Sequence, residues 1–495
     1  MSTYESNSDI YDICIIGGGI NGCGIARDAA GRGYKTLLLE KNDLASATSS
    51  KSTKLIHGGF RYLEQNEIRL VRESLQERNH LIKIAPHIIT PLTFILPHEP
   101  YIRPYWLIRL GLFLYDVLGF SFTKSPFQKS HGVYLNQSHY GDGLKHKKRL
   151  ALSYSDGWVD DARLVVANAR DAAKYGATIK TYEECLSIKS SNNHWAIQTN
   201  KGTYQTKLLV NAAGPWVRDC LDKNQLSHTD TPQVRLVKGS HIVIPKLYDG
   251  DHAYILQQPD KRIVFAIPYQ HHFTLVGTTE ETMDTANSQP TISQNEIDYL
   301  LSIINTTFTK QTDQNNIVSH YSGVRALYDD HSTDQRTVTR DYKIIKDMID
   351  KNPIYSIFGG KITTYRALSS HVMKYIDDYF GKIHKDWTLS TPLIGGDIYP
   401  NKITEIISKK FPSLDSSVCN RLIQSYGTDS FEILNNNSTE FLVSTILKNE
   451  IDFCIKNEFV RTADDYLWRR SKMGLHLSQD EQKIISDYIE SKALS

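Results

Sequence analysis

The chain's first chemistry lies in a run of glycines closed by an acid. Residues 11–40, YDICIIGGGINGCGIARDAAGRGYKTLLLE, carry G-x-G-x-x-G as Gly17, Gly19 and Gly22, with Gly24 two residues on. Gly17 permits a tight turn, Gly19 lets a pyrophosphate approach the backbone, and Gly22 lets helix and strand pack closely. The helix that follows turns free N–H groups and a partial positive charge toward that pyrophosphate. Glu40 is placed to accept hydrogen bonds from a ribose hydroxyl. Its negative charge disfavours a 2′-phosphate, so NAD and FAD are open and NADP is not expected.

Residues 42–64, NDLASATSSKSTKLIHGGFRYLE, are dense in small hydroxyl side chains. Ser49, Ser50 and Ser52 suit a pyrophosphate or a flavin, and Gly58-Gly59 would let backbone approach a planar ring. Farther on, LLVNAAGPW (208–216) is an apolar strand ending in small residues, Ala213 and Gly214 among them. IFGGKITTYR (357–366) sets Gly359, Gly360, Lys361 and Thr363 at a helix start, again a place for negative charge. A second complete glycine fingerprint with its trailing acid is missing. One flavin with a separate substrate domain is therefore simpler than paired FAD and NAD domains.

These and further blocks, among them SDGWVDDARLVVANAR, KGSHIVIP, DKRIVFAIPY, YSGVRAL, TRDY and RTADDYLWRRSKMGL, occur in order from residue 12 to about 475. Together they resemble the bacterial aerobic, FAD-dependent glycerol-3-phosphate dehydrogenases. The resemblance implies a flavoprotein fold of the D-amino-acid-oxidase type. It further implies non-covalent FAD, oxidation of sn-glycerol 3-phosphate to dihydroxyacetone phosphate, and electrons leaving through a membrane quinone. An EF-hand loop of the kind in mitochondrial relatives is not found.

A phosphate-bearing substrate needs fixed cations beside the flavin, and Arg61, Arg325, Lys361 and Arg340 are the candidates carried by these motifs. Arginine offers a planar fork to phosphate, lysine a point charge. Hydride transfer from C2 also requires that the hydroxyl proton be removed, for which histidine is suited near neutral pH. Of 18 histidines, His57 and His241 stand in the strongest blocks. His241 is the expected base, on a substrate-domain strand; Arg325 is the alternative group at the alcohol oxygen, and His57 is expected to face the cofactor.

The elements that must hold these residues suggest an α/β chain with a Rossmann-type FAD-binding domain, a β-rich substrate domain and a C-terminal helical domain. The FAD-binding domain reads as discontinuous (10–80, 150–235 and 320–385), the substrate domain as 81–149 and 236–319, and the helical domain as 390–495. Asp160 or Asp161 is expected to cap a helix from Ala162 to about Tyr175, stopped by Gly176. Trp468 reads as a packing anchor in a helical lid; a surface for a partner, including a second copy in a homodimer, is the other reading.

Composition sets the outer limits. With 495 residues, 57 Lys and Arg against 55 Asp and Glu, and a net charge of +2, the chain is neither disordered nor a broad basic nucleic-acid binder. Six separated cysteines imply reduced thiols and no metal site. MSTYESNSD has no signal-peptide character. The run from Tyr105 to Phe120, YWLIRLGLFLYDVLGF, is interrupted by Arg109 and Asp116, and Pro104 suits its first turn. Together with KHKKR (145–149) it forms a two-part signal for an anionic membrane surface. A cytoplasmic enzyme resting on the inner face of the membrane is the expectation. A soluble oxidase using O₂, an amino-acid or amine oxidase of the same fold, and a non-catalytic flavin module are the competing readings.

Overall fold

The computed structural model describes residues 10–493 apart from 66, 100, 102, 121–124, 148, 287–288, 329–340 and 435–439. Two sheets and a C-terminal set of helices organise it. The first sheet has the order Lys343–Ile349, Asn352–Phe358, Thr203–Asn211, Ile10–Ile16, Thr36–Leu39, Thr178–Lys180, with an antiparallel hairpin (Cys185–Ser191 and His194–Thr199) attached to Thr203–Asn211. Its central pairings are parallel. Parallel strands are covered on both faces, which explains why Ile13–Ile16 and Thr36–Leu39 are apolar and buried without alternation.

Helix Ile20–Gly31 leaves the end of the first strand and is buried along most of its length, in contact with helices Asp161–Lys174 and Tyr365–Phe380. The glycines make this approach possible. A Cβ on Gly22 would stand 1.9 Å from the Gly17 carbonyl oxygen, and one on Gly17, whose φ is +112°, would stand 2.4 Å from that of Ala212. Asp160 caps the Asp161–Lys174 helix, its carboxylate accepting from the Arg163 N–H at 3.1 Å.

The second sheet has ten strands, with Val234–Pro245 between Phe273–Gly277 and Ser319–Tyr328 near one side and Ile89–Pro97 with Leu150–Val159 on the other. Leu150–Val159 and Ser319–Tyr328 lie near the starts of the segments 150–235 and 320–385, which were expected in the FAD-binding domain; both pair in this second sheet. The chain crosses between the sheets more often than composition reveals, because an apolar strand reads the same in either. A helix, Gln294–Thr307, interrupts the strand-rich run, its Ser293 and Glu296 closing a capping box.

Helix Tyr105–Leu118 begins one residue later than expected, with Pro104 at the capping position rather than the first turn. Its outer stripe of Trp106, Leu110, Phe113, Leu114 and Val117 is exposed, Trp106 to 67%. Arg109 and Asp116 turn the other way and meet at Ser130: the arginine donates to its Oγ at 3.1 Å, and the serine donates to the carboxylate at 2.6 Å. Ile108, Leu112 and Tyr115 are buried on the inward side, so the helix is apolar on both faces, unlike an ordinary surface helix. Among the described residues no helix is long and apolar enough to cross a membrane.

Candidate active site

The strand pairing that builds the second sheet also builds the site. In antiparallel pairing, opposed residues share a face and alternate residues repeat it. His241 is opposite Tyr321, Gly239 opposite Gly323 and Val237 opposite Arg325. His241 and Arg325 therefore project to the same side, with a gap between them at Gly239 and Gly323 into which Thr278 and Lys51 pack closely. Over that gap lies a cavity of about 420 Å³, whose lining includes His57, His241, Arg325, Lys361, Thr53 and Glu280. Gly19, Ser49, Gly214, Gly359 and Gly360 line its other end. One cavity thus joins the glycine fingerprint to the cationic residues.

Of the expected cofactor-side residues, Gly19, Ser49, His57, Gly59, Gly214, Gly359, Gly360, Lys361 and Thr363 line this cavity. Ser49 holds the helix start, its Oγ accepting from the Ile20 N–H at 3.0 Å. Glu40 is turned back on the fingerprint, accepting from the Gly18 N–H at 2.7 Å and the Asn42 N–H at 2.8 Å. Burial raises its carboxyl above the usual range, opposed by those two bonds. Ser50, Gly58 and Ala213 are not among the lining residues. Ser50 instead offers its carbonyl to Lys54 Nζ at 3.1 Å, and the Gly58 N–H donates to the Tyr115 hydroxyl at 2.7 Å. Ser52 also serves the scaffold, donating through Oγ to Asp161 at 2.7 Å. The side chain of Arg61 and the whole of Arg340 lie outside the described residues.

At the cationic end, Arg325 pairs with Glu280 at 3.1 Å, and Lys361 Nζ lies 3.9 Å from the centre of the Tyr62 ring. Both imidazoles are held neutral. Burial, then Lys361 and Arg325, press His57 down to about 4, and burial, then Arg325 and Lys54, press His241 well below its ordinary value. Several lining residues escaped the sequence reading: Thr53, Tyr62, Gln257, Arg262 and Glu280. Thr53, Tyr62 and Arg262 stand inside the quoted motifs SSKSTKLIHGGFRYLE and DKRIVFAIPY, and only a polar residue's place in such a block could have signalled them.

Residues 12–347 match the family described as FAD dependent oxidoreductase, and residues 387–491 match the C-terminal domain of alpha-glycerophosphate oxidase. The chain belongs to the FAD-dependent oxidoreductase family. Within it, the chain is 42% identical to the aerobic glycerol-3-phosphate dehydrogenase of Escherichia coli K12, the alignment covering 97% of each. It is 38% identical to the D-erythritol 1-phosphate dehydrogenase of Brucella abortus, over 98% of each. The crystal structure of a Bacillus halodurans glycerol-3-phosphate dehydrogenase complexed with FAD superposes with a TM-score of 0.75 at 24% identity, over 99% of this chain and 95% of that one.

The residues present fit the FAD of this oxidoreductase family. A Cβ on Gly214 would meet nothing within 4 Å, and one on Gly19 would meet only the Ser49 hydroxyl at 3.2 Å, so backbone is bared to the cavity at both points. Gly359 and Gly360 turn with φ of +75° and +99°, opening a matching edge before the helix Tyr365–Phe380. Beside them Asn21 keeps a buried Oδ1 without a hydrogen-bond partner. The family's C-terminal domain reaches the same region. Asp43, three residues past Glu40, is buried under Arg469 and Arg470, the latter bridging both carboxylate oxygens at 2.6 and 2.7 Å. The expected lid is therefore part of the scaffold behind the cofactor loop. Trp468, expected as an anchor, is 39% exposed, its ring lying where a side chain on Gly474 would be.

Proposed function

We propose that this protein oxidises sn-glycerol 3-phosphate at C2 to dihydroxyacetone phosphate and passes the electrons to a membrane quinone. The observation that carries the reading is the meeting of Arg325, Lys361 and two neutral imidazoles in a cavity continuous with the glycine fingerprint. FAD, when bound, supplies the two-electron acceptor whose N5 takes the hydride. Arg325 and Lys361 hold the phosphate, with Arg61 and Arg340 assigned to the same task from their motifs. Glu280, at 3.1 Å from Nη1, and Thr278, at 3.5 Å from Nη2, hold the Arg325 fork in place. His241, which lines the cavity and reaches the Thr53 hydroxyl through Nε2 at 3.0 Å, takes the hydroxyl proton.

A second assignment of the base has an observation behind it. His241 Nδ1 is sealed from solvent without a partner, and Nε2 is engaged by Thr53 at 3.0 Å, whereas the half-buried His57 has no ring hydrogen bond among the described residues. Replacing each histidine by asparagine separates the two. The base is the residue whose loss slows anaerobic bleaching of the FAD by sn-glycerol 3-phosphate by about a hundredfold or more.

The same bleaching experiment tests the substrate. Rapid bleaching by sn-glycerol 3-phosphate and slow bleaching by D-erythritol 1-phosphate support the reading, and the reverse order overturns it. Quinone should then restore the oxidised spectrum faster than O₂; rapid peroxide formation would favour the oxidase.

The acceptor and the location at the inner face of the membrane draw support from the helix Tyr105–Leu118, whose exposed apolar stripe suits shallow burial in lipid. The basic run contributes less than its charge count suggests. Lys147 pairs with Asp142 at 3.7 Å, Arg149 pairs with Glu99, and Lys145 donates to the Asn305 carbonyl at 2.6 Å. Adhesion should therefore depend mainly on apolar contact. A Trp106→Ser, Phe113→Ser double variant is expected to lose sedimentation with anionic vesicles while retaining anaerobic flavin reduction. Retained sedimentation would place the contact elsewhere.

A further inference from the structure

The segment Lys51-Ser52-Thr53-Lys54 lies between the cofactor loop and His241, and the proposed chemistry gives it no task. Its framework is held from several directions. Asp161 accepts from the Ser52 N–H at 3.2 Å, from Ser52 Oγ at 2.7 Å and from Lys54 Nζ at 2.8 Å. The Tyr321 hydroxyl donates to the Ser52 carbonyl at 2.8 Å. Thr53 is the member of this framework that touches His241, its Oγ1 lying 3.0 Å from Nε2.

His241 has few other restraints on its polar edge. One face stacks on Tyr321, with ring centroids 4.9 Å apart and planes 22° apart. The other side borders Gly277, where a Cβ would come within 2.2 Å of the ring. These contacts confine the plane of the ring and leave the half-turn about Cβ–Cγ, which exchanges Nε2 with Cε1, to hydrogen bonding. Nδ1 has no partner and no access to solvent, so exchange with a substrate falls to Nε2, at the position where Thr53 stands.

We propose that Thr53 is a positioning residue for His241, fixing that half-turn of the imidazole and linking Nε2 to the substrate hydroxyl through its own Oγ1. The proposal rests on the reading that His241 serves the oxidised alcohol. Thr53 takes no electrons. The substrate's O–H bond breaks with its proton passing to Thr53 Oγ1 as the threonine's own hydroxyl proton passes to Nε2, while the C2–H electron pair leaves as hydride to the flavin. A threonine can accept from a protonated Nε2 and donate to a bare one, so its hydroxyl accommodates both states. The charged and titratable groups around the ring are Arg325, Lys54 and the stacked Tyr321, with Lys51 over the far side of Tyr321, Glu280 on Arg325 and Asp161 on Lys54. None of these offers His241 a replacement hydrogen bond in the structure.

The test is anaerobic stopped-flow reduction of the FAD-loaded full chain by sn-glycerol 3-phosphate, in Thr53→Val, Thr53→Ser, His241→Asn and the Thr53→Val/His241→Asn double variant. Thr53→Val should slow flavin reduction at least about tenfold with substrate affinity changed less than about twofold, and Thr53→Ser should recover most of the rate. The acid limb of the rate profile should move to lower pH in Thr53→Val, because the protonated ring loses its acceptor. The valine should cost nothing further in the His241→Asn background. In ¹⁵N-histidine NMR spectra the His241 ring signals should shift in Thr53→Val and return toward the native position in Thr53→Ser. Native reduction by Thr53→Val alongside a slow His241→Asn would overturn the positioning role and leave the base assignment standing. Native reduction by His241→Asn would instead defeat the base assignment on which the proposal rests.

Discussion

At the scale of single residues, glycine does the decisive work in this site. Gly239 and Gly323 open the gap between His241 and Arg325, and Gly277 makes room for the imidazole itself. The added Cβ of Gly277→Ala would overlap His241 Cδ2 at 2.2 Å and push the imidazole from its place. The expected result is a loss of about tenfold or more in flavin reduction with FAD still bound, since Gly277 is remote from the fingerprint. Stopped-flow rates beside the flavin absorbance of the purified variant check it, and a native rate would mean that the ring has slack. Arg325→Lys makes a second prediction. The charge survives but the fork is lost, so KM for sn-glycerol 3-phosphate should rise about tenfold while binding of FAD is kept. An unchanged KM would remove Arg325 from the phosphate site.

At the scale of elements, the six-residue π-helix Asp465–Arg470 binds the C-terminal domain to the loop behind the FAD cradle. Arg469 and Arg470 hold Asp43, Tyr182 donates to Asp465 at 2.7 Å, and Lys472 pairs with Asp160, the cap of the Asp161–Lys174 helix. Removing Arg470 leaves Asp43 to Arg469 alone, which costs part of the ~3–5 kcal/mol of a wholly broken buried pair. Arg470→Met should therefore lower the melting temperature and speed FAD loss, and an added Asp43→Asn should restore part of both. Calorimetry with flavin-release fluorescence measures the pair; additive losses would deny the coupling. This tie was hidden from sequence, where RTADDYLWRRSKMGL reads as a charged helix and nothing in its spacing names a partner more than 400 residues away. The elements of the first sheet were legible because buried parallel strands and a glycine turn leave local patterns: Thr36–Leu39 and the capped Asp161–Lys174 helix stand where the residues place them. His241 and Arg325 were legible as residues and not as neighbours. Their shared face comes from strand register, which long-range pairing sets.

At the scale of the whole molecule, a net charge of +2 conceals how many ionisable groups the interior holds in one protonation state. The histidines are the clearest case. Burial, reinforced by cationic neighbours, lowers His57 to about 4 and His87 to about 3, while His252, also buried, falls to about 4 beside His139. His241 shifts the same way. In the unfolded chain these rings take up protons near their ordinary value of about 6.5, so on acidification the unfolded state binds protons that the native state refuses. Their contribution is fully present above about pH 6.5 and is lost progressively as pH falls toward 4. Carboxylates held low against burial, such as Glu458 by Arg163 and Asp377 by the Tyr34 hydroxyl, His384 and Arg32, lose their contribution only in a lower window, below their ordinary values of 4.5 and 3.8. Stability should thus begin to fall between pH 6.5 and 5, before protonation of these lowered carboxylates can act. The urea midpoint measured across that range checks this, together with proton uptake on unfolding at pH 5.5. His87→Gln removes one ring without touching the catalytic cavity and should flatten the decline. A midpoint that stays level down to pH 5 would mean that the buried rings accept protons in place.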